Sequence, residues 1–376
     1  MSINQWKYNL IKVLNSLDSN DSQLVKTINA LDSSDPLTIF LNGYLINHCP
    51  SFIANVKNKT QVSADYFLKS GREGFYLGDL LFLDNFLLEQ SFNPGIYEAS
   101  SSRLYHSKHP SGLFYEGLTQ EKCELLKDLE SSYLYYLRGA YNKCPMSYFR
   151  LGWFYAKGIT VKEDQLKAGQ YFYVAAVLGN KNACLNFGNR LDEGNTVLQN
   201  KKLAKLFWYK GAFLGCEHSR NKYAIACSNE EYGEISLKEA YLNFQKSAYS
   251  FDVRSLCNLS RCLFFGNGVK QDKIKAYVYS LFAKNLNDYE GIQMSEKIST
   301  ELSQIDKDQA NEQMKPFFVS ASNYQEKNAL IRLTSYLQDA LKFYQERVEY
   351  IEINDMPKNL ESLDFIHPEL LAEYPI

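Results

Sequence analysis

From Ser147 to about residue 290 the alternation of apolar, small and polar positions returns every 36 residues. The first copy begins SYFRLGWFYAKGITVKEDQLKAGQYFYVAAVLGNKNA, and a fourth begins at Ser255 with SLCNLSRCLFFGNGVKQDKIKAYVYSLFAK. Small residues recur at Gly152, Gly188, Ala224 and Ser260. A second column is Ala168, Ala204, Ala240 and Ala276, and a third is Ala176, Ala212, Ala248 and, breaking the pattern, Lys284. Gly158, Gly194 and Gly266 share a turn position that holds Glu230 in the third copy. Leu151 and Tyr155 lie four apart and share a helix face, with Gly152 beside them allowing close helix contact. Gly158 suits the left-handed position that ends a helix. A polar loop with Asp164 follows, then a second helix from about Leu166 with Ala168, Tyr171, Ala175 and Leu178 at helical spacing. Gly179 and Asn180 end it. Each copy therefore predicts two antiparallel helices, and a fixed period of this length predicts a solenoid.

Outside the repeats the same helical spacing continues with less regularity. Residues 3 to 17 read as an amphipathic helix with Trp6, Leu10, Val13, Leu14 and Leu17 on one side. Asp21 or Ser22 caps a second, running through Val25, Ile28 and Leu31. Pro36 opens a third; a fourth runs from about Ser63 to Ser70, and a fifth from Phe75 to Glu89. The stretch SFNPGIYEASSSRLYHSKHPSGLFYE, with two prolines and a serine triplet, reads as irregular. Tyr135, Gly139 and Ala140 fall 36 before Tyr171, Ala175 and Ala176, so half a repeat precedes the first complete one. After Gly291 the period is lost. Met294, Ile298, Leu302 and Ile305 make one helical stripe, and Pro316 interrupts the chain. Leu330, Leu333, Leu337, Leu341, Tyr344 and Val348 then make a long amphipathic helix from about Asn323, a candidate end cap. The expected organisation is a diverged N-terminal helical module over 1–90, an irregular connection over 91–118, repeats over 119–290, capping helices over 291–352 and an extended tail over 353–376. The tail's Leu363, Phe365, Ile366, Leu370 and Leu371 either pack back on the body or bind something.

The pattern resembles the Sel-one-like repeat family, a relative of the tetratricopeptide repeats. The resemblance rests on Leu151-Gly152, Tyr155, Gly158, Asp164, Lys167-Ala168, Tyr171, Ala175-Ala176 and Gly179. In the fourth copy it rests on Gly266-Asn267-Gly268-Val269, Asp272, Lys275-Ala276 and Tyr279. The third copy departs, with no glycine at its inter-helix turn and Cys227 at the leucine position. The resemblance implies an all-α fold, an α/α solenoid forming a right-handed superhelix of helical hairpins with capping helices, and a protein-binding role without enzymatic activity.

Composition narrows the partner. With 41 Lys and Arg against 43 Asp and Glu the net charge is −2, and no basic run suggests nucleic acid. No stretch approaches 18 consecutive apolar residues, so no membrane insertion is expected. The N-terminus lacks the apolar core of a signal peptide. Eight cysteines without CxxC or regular pairing read as buried thiols, implying a cytoplasmic protein. The 28 tyrosines are wedges between helices or, for some, part of a binding face.

Chemistry-bearing constellations are sparse. His106 and His109 in HSKHP are either solvated or two members of a metal site that needs further ligands. His48 and Cys49 are neighbours in sequence only. No cofactor or metal motif is present, and a catalytic site would have to lie in the 91–116 stretch.

By analogy with tetratricopeptide hairpins, the first helix of each pair lines a concave face. The residues expected there are Phe149, Trp153 and Lys157 from the first copy, and Asn189, Asp192 and Glu193 from the second. The third supplies Asn221, Ile225 and Asn229, and the fourth Arg254, Arg261, Phe264 and Phe265. Mixed aromatics, amides and charges of both signs suit another protein. A tilted first helix would instead put Trp153 and Phe264 in the core. The function expected is an adaptor or regulator that docks a partner protein on this face. The alternative is an immunity protein or inhibitor that neutralises a toxin or enzyme by occlusion.

Overall fold

A computed structural model describes residues 3–17, 21–49, 51, 56–87 and 91–345. Val348 and the expected tail over 353–376 lie outside them. The described residues form eighteen α-helices and no strand. The first eight are α1 (Ile3–Leu17), α2 (Asp21–Asn29), α3 (Pro36–His48), α4 (Lys59–Arg72), α5 (Tyr76–Phe86), α6 (Pro94–His106), α7 (Gly112–Lys122) and α8 (Leu129–Tyr141). The repeat region gives α9 (Pro145–Lys157), α10 (Gln165–Val177), α11 (Lys181–Glu193), α12 (Lys201–Phe213), α13 (Glu217–Cys227), α14 (Leu237–Ala248), α15 (Val253–Phe265) and α16 (Lys273–Asn285). Last come α17 (Tyr289–Ser299) and α18 (Gln304–Gln345). Each helix from α3 to α7, and each from α10 to α16, packs on its successor, as in an α/α solenoid. Among the described residues no helix is long and apolar enough to cross a membrane.

Two compact units divide the chain. Of the described residues, unit 1 holds those up to 154, 158–162 and 326–345; unit 2 holds 155–157 and 163–325.

The repeat boundaries follow from caps. Asp164, Asn200 and Asp272 each accept a hydrogen bond from the third backbone N–H of the following helix, satisfying an orphan donor at α10, α12 and α16. Gly158, Gly194 and Gly266 end α9, α11 and α15 at φ of 64°, 71° and 76°. The third copy, lacking that glycine, ends α13 at Cys227 and turns through a short 3-10 segment, Glu230–Tyr232.

Small residues set the seam between hairpins. Gly139, Ala175, Gly211, Ser247 and Ala283 on second helices, and Ser147, Ala183, Ser219, Ser255 and Gly291 on the first helices that follow, are all buried. A Cβ added at Gly211 would overlap the Ser219 hydroxyl, and one at Gly291 would meet the Ala283 Cβ at 2.5 Å. Within a hairpin, Gly188 makes room for Trp208, which is 1% exposed. In unit 1 a buried polar cluster ties three helices together. Glu121 on α7 accepts from the Tyr136 hydroxyl on α8 at 2.8 Å and from Arg150 Nε on α9 at 3.0 Å.

Three expectations are corrected. The stretch read as irregular forms α6 and α7. Asn93 accepts from the Gly95 N–H at 2.9 Å and Pro94 takes the first helical position, so the signals read as a break start a helix. Ser100 and Ser101 of the triplet are fully buried. Second, Pro316 does not interrupt the chain. It lies inside α18, which runs unbroken from Gln304 to Gln345. A mid-helix proline forfeits one backbone hydrogen bond, at a cost of about 3 kcal/mol. Burial of the adjacent Phe317 against Tyr249, Phe251, Tyr279 and Phe282, with ring centroids 4.5–5.7 Å away, offsets it. The stripe expected through Met294, Ile298, Leu302 and Ile305 is split between α17 and α18, leaving Ile305 79% exposed.

Candidate partner-binding face

In unit 2 the first helices α11, α13 and α15, with α17 after them, repeat at intervals of 36 residues, so equivalent positions form rows across them. Most polar members of these rows are already paired. The Asn258 amide donates to Asn221 Oδ1 at 3.2 Å. Arg261 on α15 donates to Glu290 on α17 at 2.8 Å and to Asn258 Oδ1 at 3.2 Å. Arg254 approaches His218 Nδ1 at 3.5 Å, and His218 lies 3.5 Å from Asp252. Asp192 accepts from the Tyr232 hydroxyl at 2.6 Å, and burial together with that carboxylate pushes the Tyr232 pKa up. Asn229 spends its side chain on the N–H of Glu231, starting the 3-10 segment.

The expected face divides accordingly. Glu193 and Arg254 are exposed, as is Lys157 at the end of α9; Asn189, Asp192, Asn229 and Arg261 are half-buried. Ile225 is 40% exposed and Phe265 56%. Asn221, at 4%, and Phe264, at 5%, are buried and offer no surface. Phe264 turns inward beneath the ammonium groups of Lys297 and Lys273, 5.4 and 5.9 Å from its ring centre, while its neighbour Phe265 stays outside. In unit 1, Phe149 and Trp153 are both half-buried and meet edge to face at 6.4 Å.

The cross-helix pairing was missed from the sequence. Its signal is the 36-residue offset between complementary types, as in His218 and Arg254, which a search along single helices passes over.

The two histidines of HSKHP have separate surroundings. His106, at the end of α6, places Nδ1 2.7 Å from the Ser102 carbonyl. His109 stacks on Tyr76 at 4.5 Å, and burial lowers its pKa to about 4. Near α6, burial raises the Glu116 carboxyl to about 7, opposed by the Ser101 hydroxyl. Among the described residues no group of three or more His, Cys, Asp or Glu could hold a metal ion. All eight cysteines are buried free thiols. A cavity of about 300 Å³ in unit 2 is lined mostly by Tyr249, Val278, Tyr279, Pro316 and Phe317, with Lys275 its one charged member.

Comparison with known proteins bears on the fold. The Sel1 repeat family model matches residues 145–180 and 253–288, which are α9–α10 and α15–α16 with their flanking turns. Among solved structures the chain is similar to a protective antigen present in uropathogenic Escherichia coli strains that displays an SLR fold. Identity is 16% over 83% of this chain, with a TM-score of 0.55. The chain spans 66% of that protein's length. It is also similar to a Sel1 repeat protein from Oxalobacter formigenes, at 19% identity over 51% of this chain and 82% of that one, with a TM-score of 0.46. No curated protein matches the chain.

Proposed function

We propose that this chain, in which two segments match the Sel1 repeat model, is an adaptor or regulator that docks a partner protein on the first-helix face of unit 2. The observation that carries the reading is the pairing of exposed apolar side chains, Ile225 and Phe265, with a flanking ladder of fixed polar groups. An apolar anchor ringed by oriented polar side chains is the composition of a protein interface rather than of a lipid or nucleic-acid surface. Asp192, Asn229, Arg254 and Arg261 supply the oriented polar groups, and Asn189 and Glu193 are further candidate contact positions. Phe149, Trp153 and Lys157 hold the matching register of α9 and are candidate contact positions in their own right. The helical-hairpin fold and the separate surroundings of His106 and His109 support a non-enzymatic role. The eight buried thiols support a reducing compartment such as the cytoplasm.

The test is affinity capture from native lysate with wild type beside an Arg261→Ala, Phe265→Ala variant of equal helicity. Cross-links from the captured protein to α11, α13 or α15, together with loss of capture by the variant, support this face. A stoichiometric partner that survives both substitutions refutes it.

A further inference from the structure

Within unit 1 a second first-helix face is already covered, and by the chain itself. Ala329, Leu333, Leu337 and Ala340 on α18 are each at most 1% exposed. They fall four, four and three residues apart, so they form one stripe. The rings that this segment meets lie on odd-numbered helices or just ahead of them. On α3, the Tyr44 hydroxyl donates to the Ala329 carbonyl at 2.7 Å, and its ring meets Tyr336 edge-on at 6.4 Å. At the start of α5, Tyr76 meets Phe343 at 4.8 Å and Phe75 stacks on Tyr344 at 6.5 Å. Just ahead of α7, His109 lies 5.3 Å from the Phe343 ring. Polar contacts hold the two ends: the Ser51 N–H donates to Glu326 at 2.9 Å, and the Tyr344 hydroxyl to the Gly74 carbonyl at 3.4 Å. The opposite side of this segment, with Ile331, Ser335 and Gln338, is exposed, while Arg332 and Asp339 flank the groove beside Tyr44 and Tyr76.

We propose that the face formed by α3, α5 and the start of α7 is a helix-binding groove, and that residues 326–345 are its releasable cis occupant. The groove takes an amphipathic helix carrying small or leucine side chains at relative positions 0, 4, 8 and 11, with aromatics at its C-terminal end. Three features separate this segment from a core helix. The helices α3 to α8 pack in succession without it. The groove presents Tyr44 and Tyr76 beside Phe75 and His109, and a tyrosine ring buries apolar area while its hydroxyl can bond a helix carbonyl, as Tyr44 does, or water. The segment is held on one side only, by its stripe, the rings of Tyr336, Phe343 and Tyr344, and hydrogen bonds to Tyr44, Ser51 and Gly74. This inference does not depend on the unit 2 face, so either can fail without the other.

The experiment uses the full chain and a fluorescein-labelled peptide of residues 323–345. Wild type binds the peptide weakly, because the cis segment competes at an effective concentration on the order of millimolar. A Leu333→Ala, Leu337→Ala variant, which weakens the cis segment but leaves the groove intact, binds the peptide roughly tenfold tighter or more. Adding Tyr44→Phe and Tyr76→Ala removes that gain. In wild type, amide exchange over 326–345 is faster than over α5. A variant of native helicity that shows no gain in peptide binding overturns the proposal. So does exchange over 326–345 as slow as in α5, which decides the matter alone should the variant not fold.

Discussion

Replacing Gly188 with alanine isolates the close approach that sets hairpin geometry. A Cβ at this position would lie 2.6 Å from Trp208 Nε1 and 2.7 Å from its Cδ1. The indole is 1% exposed and contacts Tyr232 and the Lys222 ammonium, so it cannot swing into solvent. Overpacking a filled core costs about 1–3 kcal/mol. Alanine in a helix interior gains about 1 kcal/mol over glycine, so the net loss is about 0–2 kcal/mol. The third repeat supplies an internal control, since it carries Ala224 and Phe244, both buried, at the equivalent positions. Trp208→Phe alone leaves a cavity, but combined with Gly188→Ala it reproduces that solution, so the double-mutant cycle shows a favourable coupling of about 1 kcal/mol or more. Urea unfolding followed by circular dichroism gives all four free energies. A Gly188→Ala variant stabilised by the helix-propensity gain refutes the reasoning. So does strict additivity of the two substitutions.

Arg150→Ala removes the partner of a carboxylate that burial alone would push up in pKa and that Arg150 holds down. The loss is about 2–4 kcal/mol by urea unfolding, and Arg150→Met with Glu121→Leu recovers most of it; no recovery would mean that packing, not charge, dominates. Acidification acts through His48 and His109, both lowered to about 4, His48 by burial and then by Arg332, and His109 by burial. Their neutral forms are the folded forms, so stability is full above about pH 6.5 and is lost as pH falls towards 4, by about 1–2 kcal/mol each after allowing for partial exposure. His109→Gln should flatten that part of the profile, and an unchanged slope would show that carboxylates account for it instead.

The hairpins were legible wherever the register is strict. First helices begin at Pro145, Lys181, Glu217, Val253 and Tyr289, each 36 after the last, so self-comparison finds them. The earlier first helices begin at Pro36, Tyr76 and Gly112, and the steps from Pro36 up to Pro145 are 40, 36 and 33 residues. Insertions and deletions in the connecting loops cost little free energy, but they destroy a fixed-period match, and the hairpins before α8 therefore read only as a diverged helical module out of register with the repeat. Pro94 and Pro316 show the two limits of local rules. The first begins a helix because Asn93 caps it, and the second is carried inside one because Phe317 is buried beside it. Of the expected face, Ile225 and Phe265 were legible as exposed first-helix residues. The burial of Phe264 was legible only as the alternative to its place on the face, because adjacent phenylalanines at a helix end point about 100° apart, and composition does not reveal which of the two faces inward.

The pairing within unit 2 changes which side chains could control binding. Arg261 and Arg254 are already engaged, by Glu290 and by His218. For a partner carboxylate to take Arg261 it must displace Glu290, and exchanging one exposed ion pair for another is close to neutral, since each is worth about 0–1 kcal/mol. The ladder therefore contributes orientation more than affinity: guanidinium and amide groups are fixed before contact, and a partner of the wrong charge pattern meets groups that cannot rearrange without breaking a neighbour's bond. Net affinity falls to the apolar members. Phe265 is more than half exposed and lies 5.0 Å from the Lys297 ammonium, so its ring is held in place before a partner arrives. Covering it and Ile225 removes apolar area from water without breaking any bond of the ladder. Substitution of Phe265 should thus weaken a partner's binding more than substitution of Arg261, the reverse of what their charges alone would suggest.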